Sequence, residues 1–112
     1  MSFLKTARRI IAAAACVVVT TIVATGFAAA ETKSFAKPMH PQGNRLDWCF
    51  NWAQGCGKQA ADAFCTSHGF KSAVNFSKAV DIGDKHKTRV ISTGAVCDQK
   101  FCDGFGQIVC NP

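Results

Sequence analysis

Residues 57–68 read GKQAADAFCTSH and predict a helix with one apolar stripe. The stripe consists of Ala60, Ala61, Phe64 and Cys65, which follow the spacing i, i+1, i+4 and i+5 of a single helix face. Gly69 comes soon after, where helices commonly end on a residue in the left-handed conformation. Because Cys65 belongs to the stripe, the helix is expected to present a thiol to the protein interior.

Six of the seven cysteines lie around and beyond this helix: Cys49, Cys56, Cys65, Cys97, Cys102 and Cys110. An even set of closely spaced cysteines in an exported chain is typical of a disulfide scaffold. Spacing leaves the connectivity open, with one preference, since Cys65 and Cys110 are both expected to face inward. No Cys-x-x-Cys pair is present, so we expect neither a metal site nor a cofactor.

Three segments after the helix predict strands. Residues 72–80 alternate, with Val74, Phe76 and Val80 on one face. Residues 88–93 are rich in β-branched side chains, and residues 105–110 alternate again. A parallel sheet requires helices that alternate with the strands, whereas here the one helix precedes all three predicted strands. The predicted fold class is α+β, a small disulfide-rich domain with one helix packed on a three- to four-stranded antiparallel sheet.

Residues 1–30 predict a secretory signal peptide. A basic start precedes an apolar run over residues 10–23, and the small residues Ala28 and Ala30 suit cleavage after Ala30. The run is shorter than the roughly 20 apolar residues of a membrane span, so no span is expected after cleavage. We therefore expect a secreted or periplasmic protein, and the alanine-rich leader favours a bacterial source.

Removing 30 of the 112 residues leaves 82, enough for one small domain. Residues 31–44 contain prolines and glycine without periodicity, which predicts a flexible N-terminal arm, and the disulfide-stabilised domain is placed at residues 45–112. After cleavage, ten Lys and Arg against seven Asp and Glu give +3. This charge is mild and scattered, which excludes a typical nucleic-acid binder. A monomer is expected.

The cysteine and tryptophan pattern resembles a family of small exported cysteine-rich bacterial proteins that is largely uncharacterised. The motifs that carry the resemblance are RLDWC at 45–49, Trp52, CG at 56–57, AADAFC at 60–65, GF at 69–70, Gly94, Cys97, CDGF at 102–105 and IVC at 108–110. The resemblance implies an exported domain held by disulfides, and it implies no catalytic positions.

The candidate binding residues are Asp47, Trp48, Asn51 and Trp52. Aromatic ring faces cover the apolar C–H patches of a sugar, while carboxylate and amide groups exchange hydrogen bonds with its hydroxyls. Two tryptophans beside a cysteine in so small a domain are also typical core residues, and one ring inside with one outside is an intermediate case. The pattern predicts an exported non-enzymatic module that binds a glycan or a surface protein.

The alternative is a small toxin or protease inhibitor that acts through the loop between Cys97 and Cys102. Lys100 would insert into the target, and a short closed loop loses little entropy on binding, although the same loop is also typical of a simple tight turn. Enzyme interpretations are weaker. Ser34 and Lys37 match a Ser-x-x-Lys pattern within the predicted arm. His40, His68 and His86 could supply acid–base chemistry, but His68 suits a helix C-terminus and His86 a solvated charged turn, so no enzyme is expected.

Overall fold

The computed structural model describes residues 31–112, and the predicted signal peptide lies outside the described residues. Residues Glu31–Pro112 form one unit. Its elements in chain order are β1 (Lys33–Ala36), β2 (Arg45–Leu46), β3 (Cys49–Asn51), β4 (Gln54–Cys56), α1 (Lys58–Ser67), β5 (Ser72–Ala79), a 3-10 turn (Ile82–Asp84), β6 (Thr88–Arg89), β7 (Val96–Cys97) and β8 (Gly104–Asn111). Within this part of the chain, no helix is long and apolar enough to cross a membrane.

The main sheet is antiparallel and has the strand order β1-β8-β5. Helix α1 packs on it through the predicted stripe, whose four residues are all buried together with Phe105 and Ile108 of β8. After the helix, Gly69 has a φ of +86°, and the amide of Phe70 donates to the carbonyl of Cys65. The structure therefore confirms the α+β fold class and the predicted helix with its glycine stop.

A second sheet and a hairpin lie beside the main sheet. The second sheet has the order β2-β6-β7, in which β2 and β6 are parallel and β6 and β7 antiparallel, while β3 and β4 form the hairpin. The strand predicted over residues 88–93 ends at Arg89, because the Val90 amide donates to the Ala95 carbonyl and the chain turns back. The sequence did not predict the short parallel pair.

The prediction of a flexible arm over residues 31–44 is wrong. Strand β1 pairs with β8 along its whole length, and the ring of Phe35 packs edge-on against Phe64 at 5.1 Å. Pro38 and His40 are buried, and the Pro38 carbonyl accepts a hydrogen bond from Leu46. Only Phe35 among the β1 residues turns toward the core, so the segment shows no apolar alternation that would predict a strand. It becomes a strand because β8 offers it an unpaired edge for backbone hydrogen bonds.

A β-bulge in β5 changes which of its residues face the core. The register with β8 shifts between Ala73 and Asn75, so that Ala73 pairs with Cys110 and Phe76 with Ile108. Ala73 and Phe76 consequently pack against the core although they are three residues apart, and Val74 is exposed. The strand itself is confirmed, but the strict alternation predicted for it is interrupted by the extra residue.

Three disulfides link the six described cysteines. Cys65–Cys110 joins the helix to β8, as predicted, and spans 45 residues of sequence. Cys49–Cys56 closes the β3–β4 hairpin, and Cys97–Cys102 closes a short loop. The first bond holds distant elements together, whereas the other two constrain local loops on the surface.

Acidification is expected to destabilise the fold through His40. This side chain is buried, and its Nδ1 accepts a hydrogen bond from the Gln42 amide at 3.0 Å. Burial lowers the pKa of His40, and the nearby positive charge of Arg89 lowers it further. The unfolded chain thus takes up a proton near the ordinary pKa of about 6.5, while the folded protein resists it, and stability falls as the pH drops below that value.

The measurement is the melting temperature of residues 31–112 between pH 7.5 and 5.5, with His40→Asn as the comparison. The asparagine carbonyl preserves an acceptor for the Gln42 amide but does not titrate. We expect the decline with acidification to be shallower in His40→Asn. The other two histidines are the same in both proteins, so identical slopes would contradict the assignment to His40.

Candidate functional site

A groove of about 360 Å³ lies between the β3–β4 hairpin and the disulfide loop, residues 97–102. We call it the aromatic groove, and its lining residues are Asp47, Trp48, Cys49, Trp52, Ala53, Cys97, Phe101, Cys102 and Asp103. The fold thereby brings together the tryptophan segment and the cysteine-bordered loop, which the sequence presented as separate candidates.

Both walls of the aromatic groove are short, covalently closed loops. The hairpin is held by the Cys49–Cys56 disulfide and turns through Ala53 at a φ of +53° and Gly55 at +62°. The disulfide loop contains a turn in which the Cys102 amide donates to the Gln99 carbonyl at 3.0 Å. Loops constrained in this way lose little conformational entropy when a ligand binds.

Trp48 belongs to the core as much as to the groove. Its ring centroid lies 4.8 Å from that of buried Phe105 and 5.7 Å from that of Phe76. A Cβ added at Gly57 would come within 3.1 Å of the indole, and Gly57 also has a φ of +76°. A glycine is therefore required where the chain enters α1 beneath this ring. Most of these contacts of Trp48 are with core residues, as the core-packing interpretation predicts.

Trp52 and Phe101 are different, because both are exposed aromatic side chains that line the same groove. Trp52 is 50% exposed at the tip of the hairpin, and Phe101 is 70% exposed in the disulfide loop. The intermediate case of one tryptophan inside and one outside thus describes the molecule. Sequence reasoning missed Phe101 as a groove residue, although an aromatic residue in so short a disulfide loop has little chance of burial.

The polar candidates differ in how free their hydrogen-bonding groups are. Asp47 is 7% exposed, and its two carboxylate oxygens accept hydrogen bonds from the Cys49 amide and the buried Thr88 hydroxyl. It lies at the base of the groove and ties β3 to β6. Asn51 accepts from the Trp52 amide through Oδ1, and its Nδ2 donates to no described residue. Asn51 is not among the residues that line the groove.

Asp103 is a groove residue that the sequence did not single out. One carboxylate oxygen accepts from the Asp81 amide at 2.7 Å, and the other lies 3.4 Å from Lys78 Nζ. The same ammonium lies 5.2 Å from the Trp48 ring centroid. Asp103 and Lys78 therefore form a charged pair whose ammonium lies over the Trp48 ring. The nearest sequence signal for Asp103 is only its position directly after Cys102.

Lys100 does not line the aromatic groove. It lies in the turn of the disulfide loop and lines a separate depression of about 440 Å³ together with Asp81, Asp84 and Phe101. Within residues 31–112, its ammonium has no carboxylate partner within 4 Å. Phe101 thus lines both depressions. Its ring, and not the Lys100 ammonium, faces the aromatic groove.

The side chains considered for the weaker enzyme interpretations make structural contacts. The ring of His68 lies 4.2 Å from that of Phe64, and its Nδ1 lies 3.0 Å from the Phe64 carbonyl. Ser34 lies on β1 and accepts a hydrogen bond from Gln107. Across residues 31–112, no group of three or more His, Cys, Asp or Glu side chains is placed to hold a metal ion.

Comparisons of the chain with protein-family models, curated proteins and solved structures find no match. The resemblance to exported cysteine-rich proteins accordingly stays a prediction, and function must be argued from the geometry of the described residues.

Proposed function

We propose that the protein is an exported, non-enzymatic binding module that recognises an extracellular or cell-surface glycan through the aromatic groove. The observation that carries the proposal is the exposure of Trp52 and Phe101 on the two walls of one groove. Export is supported by the signal-peptide pattern of residues 1–30 and by three disulfides, which persist in oxidising compartments. A bacterial source is supported by the leader composition.

The chemistry of the groove suits a sugar. Two aromatic rings provide apolar faces for C–H groups, and the Asp103 carboxylate lines the groove beside them as an acceptor for hydroxyl groups. The volume of about 360 Å³ is near the lower end of the range for small-ligand sites, which suits one or two sugar rings. Preformed walls reduce the entropy lost on binding.

The toxin or protease-inhibitor alternative has less support. Peptide segments that add to a partner's sheet do so as extended strands, whereas Lys100 occupies a turn closed by the Gln99 carbonyl and the Cys102 amide. Two carboxylates, Asp81 and Asp84, line the depression beside Lys100 and oppose its charge. Loss of binding or inhibition in Lys100→Ala alone would favour this alternative.

Trp52→Ala and Phe101→Ala are each expected to weaken glycan binding about tenfold, the effect of removing an aromatic anchor from a binding site. A panel of neutral and acidic polysaccharides would first be screened with the wild-type protein by affinity electrophoresis and by protection of tryptophan emission from acrylamide. Oligosaccharides of the best ligand would then be titrated calorimetrically into each variant.

Val74→Ala is the matched control, because Val74 is a comparably exposed apolar residue on β5 outside the groove. It should bind as the wild type does. The proposal fails if no polysaccharide binds, or if both aromatic variants retain wild-type affinity while remaining folded by circular dichroism.

A further inference from the structure

A second depression of about 500 Å³ is lined by basic and neutral side chains only. We call it the cationic pocket, and its lining residues are Lys37, Met39, Asn44, Arg45, Lys85, His86 and Lys87. They come from the chain after β1, from β2 and from the turn before β6. No carboxylate is among them.

Folding creates this cluster from residues that are scattered in the sequence. Strand β2 pairs in parallel with β6, and the Arg45 amide donates to the Lys87 carbonyl at 3.2 Å. Lys37 joins them because its amide donates to the Gly106 carbonyl at the end of the β1–β8 pairing. Four permanent positive charges in one pocket exceed the net charge of +3 of residues 31–112, so the remainder of this part of the chain is slightly negative.

Arg45 is the unusual member of the cationic pocket, since it is only 9% exposed. Its Nη2 donates to the Phe105 carbonyl at 2.7 Å, and its Nε has no hydrogen-bond partner among the described residues. Within the same residues, no carboxylate lies within 4 Å of the guanidinium. A buried cation without a counter-charge is unfavourable, and burial accordingly lowers the pKa of Arg45.

The lysines of the pocket also lack ion-pair partners within the part of the chain that the structure describes. The ion pairs within residues 31–112 are Lys58 with Asp62 and Lys78 with Asp103, and neither involves the pocket. Asp81 and Asp84 line an adjoining depression that shares Lys85 and His86, but they do not line the pocket itself. The pocket therefore carries a concentrated positive charge that no carboxylate of the described residues neutralises.

We propose that the cationic pocket binds an oxyanion of the phosphate or sulfate class, with Arg45 at its base and Lys37, Lys85 and Lys87 around it. A tetrahedral oxyanion accepts several charge-assisted hydrogen bonds at once, from the guanidinium and from ammonium groups. It would supply the counter-charge that Arg45 lacks. The anion is either free in solution or an ester group on an extracellular polymer. This site is separate from the aromatic groove and does not depend on glycan binding there.

The test is a titration of ¹⁵N-labelled residues 31–112 with sodium phosphate and with sodium sulfate. Amide chemical shifts are recorded at each step and compared with those in sodium chloride at the same ionic strength. We expect saturable shifts centred on Arg45, Lys85 and Lys87. The double variant Lys85→Gln/Lys87→Gln should bind phosphate about tenfold more weakly, if each lysine contributes about a threefold effect. Arg45 is left unchanged because its removal endangers folding.

Lys71→Gln/Lys100→Gln is the matched control, since it removes two exposed charges outside the pocket. It should retain phosphate affinity. Linear shifts equal to those in chloride, or equal weakening in both double variants, would overturn the proposal. Dextran sulfate and neutral dextran distinguish the sources: tighter binding of dextran sulfate per sulfate group assigns the pocket to polymer esters, and equal affinity assigns it to the free anion. All readouts lie outside the aromatic groove, so they are independent of the glycan result.

Discussion

Replacement of Cys65 and Cys110 by alanine is expected to lower the free energy of unfolding by about 4 kcal/mol, or to prevent folding at 37 °C. The bond closes a loop with a sequence separation of 45 residues, and releasing that loop raises the entropy of the unfolded chain. A domain of this length has a total stability of about 4 to 12 kcal/mol. This single crosslink therefore accounts for a large share of the stability.

The comparison variant is Cys97→Ala/Cys102→Ala, which opens a loop with a separation of only five residues. The same entropy relation gives a loss of about 2 kcal/mol for this pair. Urea unfolding of both double variants, followed by circular dichroism, measures the difference. Equal losses would contradict the view that loop length and the helix-to-sheet connection give Cys65–Cys110 its larger effect.

Phe105→Ala is expected to cost about 3 to 5 kcal/mol, the range for removing a buried aromatic ring. Phe105 is fully buried and lies between Trp48 and Phe76, with ring centroids at 4.8 and 6.0 Å. Its removal leaves a cavity beside the indole, and we expect tryptophan emission to shift to longer wavelength. Urea unfolding gives the stability change, and emission spectra give the solvent exposure.

Phe101→Ala provides a matched control for Phe105→Ala, because it removes the same ring from an exposed position. Its stability should change by no more than about 0.5 kcal/mol. Similar losses in the two variants would show that Phe101 contributes to the core, and its assignment to the aromatic groove would then be wrong. A near-neutral Phe101→Ala that loses glycan binding would separate binding from stability.

The candidate site was predictable only in part. Trp48 and Trp52 lie four residues apart with similar polar neighbours, so local sequence does not distinguish them. Gly57 and Phe105 approach Trp48 and take it into the core, whereas the hairpin turn carries Trp52 outward. Asp47 lies beside Trp48 in the sequence, yet its carboxylate bonds to Thr88, which is 41 residues away.

Local sequence patterns predict the helix, its glycine stop, the two long strands and the inward direction of Cys65 and Cys110. These features depend on side-chain periods and on backbone preferences that act within a few residues. Long-range packing is what makes residues 31–44 supply an edge strand, brings Trp52 and Phe101 to one groove, and places Lys37 and Arg45 beside Lys85 and Lys87. Such contacts are made across long separations, such as the 60 residues between Arg45 and the Phe105 carbonyl, and no local pattern encodes them.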